Sequence, residues 1–387
     1  MTSIITDSFH LTILILRCVG LYYNGKQSLA MKIWKYSVYL LSVVMVVLAL
    51  FNLFVEENID MLQLNQLVVF LAEASSGVVK ILLFMKNGSR IKKCIHFFGD
   101  RRFEPKNEEE KRILDECVRL CRRNVKIIVG ALAFTDVIWN ILPLWNPASA
   151  LPVKIWLPFE LIPGSPTLYL ARFYVAIVLT YDGIVTTSLE PLIGGLAYHI
   201  TAQIKILKYN IIYLDGNNTA KTEIGNRSTT NYKKVREKLI QCIAHHNDIL
   251  IFVAEFENCF SWCIFWQLAG TTFGLCFCSV GMTWVSPTSV NAMMFFVTYA
   301  VISLQLFFYC HYGTLLYEEN NGLIDAIYMS PWYKYDAATR KIFITMMECS
   351  KVSITLTTGK IITLTYDTFT SVLKTSYSLI AVLNNYH

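Results

Sequence analysis

Residues 36–55 read YSVYLLSVVMVVLALFNLFV, twenty positions without a charged side chain. At 1.5 Å of rise per residue, a helix of this length matches the roughly 30 Å hydrocarbon thickness of a bilayer. Apolar side chains cover its whole circumference, so it has no face to turn to water, and the segment predicts a membrane span. Six more blocks of comparable length follow, at about 62–85, 125–144, 169–200, 259–282, 290–312 and 361–386. The first three of these are rich in Val, Leu, Ile and Phe, whereas the last is weaker and studded with Thr and Ser. Composition agrees: 54% of the 387 residues are hydrophobic, 16% are charged and mean hydropathy is +0.44. That is too little charge to cover a soluble surface of this size. The expected fold is all-α, a polytopic membrane protein with seven transmembrane helices and helical extensions.

The positions of Lys and Arg predict which way the chain threads. Four precede the first span and thirteen lie between spans two and three, from Lys86 to Lys126. Eight fall between spans four and five, and five between six and seven. The alternate compartment receives Lys154 alone, while Lys80, Arg172 and Lys374 lie inside spans. Basic loops stay cytosolic, which puts the N-terminus inside and the C-terminus outside. The net charge of +6 is therefore a threading signal and gives no reason to expect a nucleic-acid partner. Segments 56–61, 145–168 and 281–289 hold none of the eleven cysteines, consistent with thiols kept in spans or on the reducing side. The sequons at Asn87, Asn217 and Asn226 fall on the predicted cytosolic side and are expected to carry no glycan.

Four segments are expected. Residues 1–35 form a cytosolic or interfacial N-terminal piece. Its stretch Phe9–Val19 has Asp7 where a signal peptide would be basic, and reads as an interfacial or re-entrant helix on an uncleaved chain, with Arg17 and Lys26 near headgroups. Residues 36–312 carry spans one to six, 313–360 form cytosolic anchor helices, and 361–387 form the last helix. Within 86–126 acids and bases alternate at helical spacing, which suggests helices extending spans two and three. The polar stretch from Tyr213 to Asn231 reads as a loop, and from Tyr232 a helix is expected to run through His245 and His246 into span five. Ala337–Val352 is amphipathic, with Ile342, Phe343, Met346 and Met347 at helical spacing, and needs a partner surface.

Catalysis finds little support. The seven His are scattered, and the adjacent His245 and His246 cannot share one helix face. Cys117 and Cys121 have a spacing compatible with two metal ligands, but no second pair completes a site, and plain helix residues are the simpler reading. No phosphate-binding loop, zinc-protease motif or nucleophile elbow occurs. The chain is expected to be no enzyme and to need no cofactor or metal.

Binding and conduction leave more trace. In the last span Thr368, Ser371, Thr375, Ser378 and Asn385 recur on one stripe, with Val382 filling it. Phe369, Val372, Leu373, Ile380 and Leu383 occupy most of the remaining surface. Such a helix fits lining a watery path; equally, the hydroxyls could bond back to helix carbonyls or mediate helix packing. Glu73, Lys80, Asp136, Arg172, Asp182 and Glu190 are ionisable groups inside spans, and pairing of Glu73 or Asp136 with Arg172 is conceivable at matching depth. Leu67, Phe70, Leu71, Thr135, Trp139, Tyr169, Phe173, Ile177, Phe296 and Tyr299 lie in the outer halves of spans two, three, four and six. They could wall an apolar cavity for a small hydrophobic ligand, or serve as ordinary packing residues.

The C-terminal stretch resembles the insect odorant receptors. The residues that carry the resemblance are Trp332-Tyr333, Leu356-Thr-Thr-Gly-Lys360 and the string Tyr366-Asp-Thr-Phe-Thr-Ser-Val-Leu-Lys-Thr-Ser-Tyr-Ser378. Specific similarity covers about the last sixty residues, and the rest agrees in length and layout. The resemblance implies a ligand-gated, non-selective cation channel in the plasma membrane of sensory neurons. Ligand-specific subunits would assemble with a shared co-receptor as tetramers, around a pore lined by the last helix. It implies Val382 at a gate, Asn385 as its polar outer neighbour, and Tyr386 where the co-receptor has an aliphatic gate residue. Thr375 and Ser378 fall on the same pore face. Ser353 departs from a proline common before the Gly-Lys element. Thr135, Trp139, Phe296 and Tyr299 reproduce spacings of the family's odorant pocket.

A gustatory receptor of the same superfamily is the nearest rival, but Thr365-Tyr366 is followed by Val372-Leu373 where that group has Gln-Phe. A G-protein-coupled receptor would need the opposite threading and an Asp-Arg-Tyr after span three. A transporter would be expected to show repeated halves with broken helices.

Overall fold

The computed structural model describes residues 8–22, 28–56, 60–141, 151–159, 161–162, 164–214, 229–351 and 353–384. Its helices are α1 (His10–Cys18), α2 (Leu29–Val55), α3 (Met61–Lys86), α4 (Gly88–Phe97), α5 (Glu108–Ile141), α6 (Pro166–Ile212), α7 (Thr229–Thr283), α8 (Val290–Met329), α9 (Ala337–Cys349) and α10 (Tyr366–Asn384). A two-stranded hairpin, β1 (Thr357–Thr358) and β2 (Ile362–Thr363), precedes α10. α2, α3, α5, α6, α7 and α8 are long and apolar enough to cross a bilayer. α10 takes the place of the seventh expected span.

Three of these helices far exceed a bilayer. With 47, 55 and 40 residues, α6, α7 and α8 run about 70, 80 and 60 Å at the standard rise. The excess lies at the C-terminal ends of α6 and α8 and the N-terminal end of α7, all at the end of the bundle where the basic residues collect. Ser28, Ser165, Ser289 and Asp336 start α2, α6, α8 and α9 by accepting from the amide three residues on. At the basic end the extensions pack into a core of Phe252, Phe256, Phe260, Leu316, Leu323 and Ile327, which receives Phe343 and Met346 of α9. The amphipathic run expected from Ala337 thus finds its partner surface through Phe343 and Met346, while Lys341, Ile344 and Thr345 stay exposed.

The N-terminal helix docks on α6, with Phe9 and Leu16 fully buried and Leu11 and Leu14 exposed. Gly195 makes this possible, because a Cβ there would collide with the Phe9 ring, and Gly194 does the same for Tyr312 of α8. The last span begins later than the expected 361. Thr358-Gly359-Lys360-Ile361 forms a tight hairpin turn, with Gly359 and Lys360 at φ +58° and +60° and Ile361 N–H donating to the Thr358 carbonyl at 3.1 Å. The strand register pairs Thr358 with Ile362, so the loop is residues 359–361, and its positive φ at 359 favours glycine. The hairpin is tied to α7: Ser261 Oγ donates to the Thr357 carbonyl, and Thr357 N–H and Oγ1 donate to Glu257 Oε1.

Candidate ligand cavity and pore helix

A cavity of about 170 Å³ lies between α3, α5, α6 and α8, in the half of the bundle away from the basic end. Its volume is close to the roughly 150 Å³ that accepts benzene in an engineered apolar cavity. Val69, Phe70, Ala74, Leu132, Leu179, Val301 and Ile302 supply apolar wall. Trp139 Nε1 donates to Thr298 Oγ1 at 2.9 Å, linking α5 to α8 at the cavity. Thr135 and Thr186 spend their hydroxyl protons on the carbonyls of Ala131 and Asp182.

The polar part of the wall comes from intramembrane charge. Lys80 and Glu190, 1% and 4% exposed, pair at 3.0 Å between α3 and α6. Glu73 lies within electrostatic reach of Lys80 and Glu190, so two carboxylates address one ammonium. Asp136 accepts from Thr180 Oγ1 and Asn140 Nδ2, and Asp182 accepts from Ser42 Oγ at 2.7 Å. The structure therefore gives Glu190 the cation Lys80, and Asp136 the partners Thr180 and Asn140.

Of the residues expected to bind ligand, Phe70, Thr135 and Trp139 line this cavity. Leu67 lines a second groove beside Trp139, with Leu151, Val153 and Ile155. Leu71 is buried in a layer with Met45, Ala49 and Val175. Tyr299 packs against Phe295 and Leu275. Tyr169, Phe173, Ile177 and Phe296 are exposed on the outer perimeter of the bundle, at 61%, 65%, 45% and 66%. The remaining lining, including Glu73, Asp136, Asp182, Glu190, Thr298 and Gln305, was not among the residues expected to bind ligand. For the four acids the available signal was their ionisable character inside spans.

α10 is two-faced. Phe369, Val372 and Leu373 pack on a layer of Leu268, Leu275, Ile302, Leu306 and Cys310 from α7 and α8. Ser376 is buried, 2.6 Å from Ser279 Oγ of α7. The opposite side exposes Asp367, Thr370, Ser371, Lys374, Thr375 and Ser378 along one groove. Thr375 Oγ1 also donates to the Ser371 carbonyl at 2.9 Å, so back-bonding and an outward hydroxyl face coexist. Val382 belongs to α10, though nothing is described of its side chain, and Asn385 and Tyr386 lie outside the described residues. Ile302 belongs both to the cavity wall and to the layer beneath α10.

One further cluster has ligand-like chemistry. Cys117, Cys121 and His199 are buried, with their donor atoms within 4.8 Å of one another. The cysteine spacing was legible in the sequence, but the third member comes from α6. Three such donors could hold a thiophilic ion with one position open. His199 Nε2 lies 3.1 Å from Ser8 Oγ, and its ring rests against Phe9 and Phe98.

The family model described as 7tm odorant receptor matches residues 60–377. The chain is 22% identical to odorant receptor Or1 of Anopheles gambiae, over 83% of this chain and 80% of that one. It is 23% identical to odorant receptor 22c of Drosophila melanogaster, over 86% and 85%. Its fold is similar to that of the insect olfactory receptor OR5 from Machilis hrabei in complex with eugenol, at a TM-score of 0.84 and 15% identity over 98% of both chains. A second structure of OR5 from Machilis hrabei gives a TM-score of 0.82 at 16% identity, over 97% of this chain and 99% of that one.

Proposed function

Since the chain belongs to the 7tm odorant receptor family, we propose that this multi-pass membrane protein is the odorant-binding subunit of a ligand-gated, non-selective cation channel. It sits in the plasma membrane of sensory neurons with its N-terminus inside and its C-terminus outside, in keeping with the basic loops. Its partners are a small hydrophobic volatile and a shared co-receptor subunit, in a tetramer. The family assignment favours this reading over the gustatory, G-protein-coupled and transporter alternatives.

The observation that carries the reading is the cavity itself, which shares Ile302 with the layer under α10. A molecule bound against Thr298, Ile302 and Gln305 changes the packing on which Phe369, Val372 and Leu373 rest. If it binds one arrangement of α8 and α10 more tightly, the population shifts towards that arrangement. The exposed hydroxyl face of α10, with Thr375 and Ser378, lines the pore; the gate is assigned to Val382, and Asn385 and Tyr386 to the pore, by the family resemblance alone. A fold relative captured with eugenol supports a small-molecule site in this architecture.

Whole-cell recording with the co-receptor and an odorant panel tests the reading. Ligand-evoked current independent of G-proteins is expected. Trp139→Ala should shift ligand sensitivity without lowering surface expression, and Val382→Ala should alter ion selectivity or basal current. Substrate accumulation without current would favour a transporter.

A further inference from the structure

The cavity's polar groups are out of balance. Glu73 Oε1, Glu190 Oε2 and Gln305 Oε1 are shut off from solvent without a hydrogen-bond partner. All three residues line the cavity, with Glu190 4% and Gln305 7% exposed. Glu190, paired with Lys80, is a carboxylate that only accepts hydrogen bonds, whereas an amide can present either end, so Glu190 Oε2 decides the polarity. Nearby donors are largely engaged: Trp139 Nε1 with Thr298, Thr135 with Ala131, Thr186 with Asp182, and Lys80 with Glu190 Oε1. Four lining residues are acidic and none of the lining residues is basic. Buried acceptors left without donors are costly, and a ligand that supplies the donor recovers that cost on binding.

We infer that the ligand class of this cavity is a small apolar molecule with a hydrogen-bond-donating head, a hydroxyl or a protonated amine, bound against Glu73, Glu190 and Gln305. Esters, ethers and ketones bring only acceptors and leave Glu190 Oε2 unpaired. The volume limits the apolar body to about the size of a benzene ring. Behind the wall there is no slack at Gly274 of α7, where a Cβ would come within 3.2 Å of both Glu73 Oε1 and Ile302 Cδ1. The inference rests on the ligand cavity proposed above and adds its chemical preference.

The test uses compounds matched in skeleton: benzyl alcohol and benzylamine against benzyl methyl ether and benzaldehyde. Each is measured as current from cells expressing the full chain with the co-receptor, and as a shift in melting temperature of the purified receptor. At least one donor compound should act at a concentration about tenfold to a hundredfold below that of the ether. Glu73→Gln keeps an acceptor but removes a negative charge, so it should weaken the amine more than the alcohol if the ammonium is the preferred head. Gln305→Leu should narrow the gap between alcohol and ether. Glu190→Gln is avoided here because it would remove the direct partner of Lys80 and so change the fold's stability together with the ligand response. If donors and acceptors act equally while Trp139→Ala shifts both, the donor preference is wrong and the cavity assignment stands. If ligands act and neither Trp139→Ala nor Glu73→Gln changes any response, the cavity assignment itself fails. Wild-type silence to every compound, in current and in melting, overturns both.

Discussion

Replacing Lys80 by Met tests whether intramembrane charge holds the bundle together. The methionine keeps most of the apolar stem but removes the ammonium that lies 3.0 Å from Glu190 Oε1, in a pair only 1% and 4% exposed. Removing one partner of a buried pair typically costs about 3–5 kcal/mol, because the other charge stays buried without compensation. At about 1.4 kcal/mol per factor of ten, the folded-to-unfolded ratio would fall by roughly a hundred to a few thousandfold. The geometry also predicts an asymmetry. Lys80→Met leaves Glu190 and Glu73 as two acids without their cation, whereas Glu190→Gln leaves Lys80 within reach of Glu73. Lys80→Met should therefore be the worse single change. The double variant should cost less than the sum of its parts, the mark of direct coupling. Thermal unfolding in detergent, monitored by tryptophan fluorescence alongside surface expression, reads all four members of the cycle. A Lys80→Met protein that melts with wild type, or strictly additive costs, would refute a structural pair.

Other outcomes follow from single contacts. Burial holds the His245 imidazole neutral down to about 4, below its ordinary 6.5, and its Nε2 lies 3.0 Å from Gln203 Oε1. The unfolded chain takes up this proton first as pH falls, so the stabilisation is full above 6.5 and is lost between 6.5 and about 4. His245→Gln should flatten the melting-temperature profile across that window, and profiles that stay parallel would count against it. Gly359→Ala places a Cβ at positive φ, a cost of about 1–2 kcal/mol, and drives it against the Phe265 ring. Lower surface yield and melting temperature are expected, and an unchanged melt would mean that the turn relaxes. Ile302→Ala should reduce maximal current more than it shifts ligand binding, as read by melting-temperature shift. An equal effect on both would place Ile302 in the cavity alone.

Much of the fold was open to reading because it depends on local pattern. The apolar blocks and the cytosolic-type extensions correspond to α2, α3, α5, α6, α7 and α8, and the amphipathic run from Ala337 to α9. The two-faced character of the last helix was legible too, since Phe369, Val372 and Leu373 share a side opposite Ser371, Thr375 and Ser378. The cavity was only partly legible. Phe70, Thr135 and Trp139 were singled out as possible wall, but so were Phe173, Ile177 and Phe296, which face outward. In a membrane bundle both the lipid side and the protein side of a helix are apolar, so hydropathy carries little information on rotation about the helix axis. Ion pairing was opaque for the same reason: depth suggested Arg172 as a partner for Glu73 or Asp136, but rotation set Lys80 against Glu190.

Sequence alone determined how many helices of bilayer length the chain makes, where they outgrow the membrane, and the sided distribution of positive charge. Run length and the number of Lys and Arg per loop are sums over neighbours in the chain, so they survive without a partner surface. Tertiary packing decided what meets what. It set Glu73 and Glu190 around one lysine, His199 beside Cys117 and Cys121, Phe9 against Gly195, and Ile302 between a cavity and the last helix. Each of these depends on side-chain volumes and helix rotations contributed by segments far apart in the chain, and close packing fixes them only when all the helices are present together.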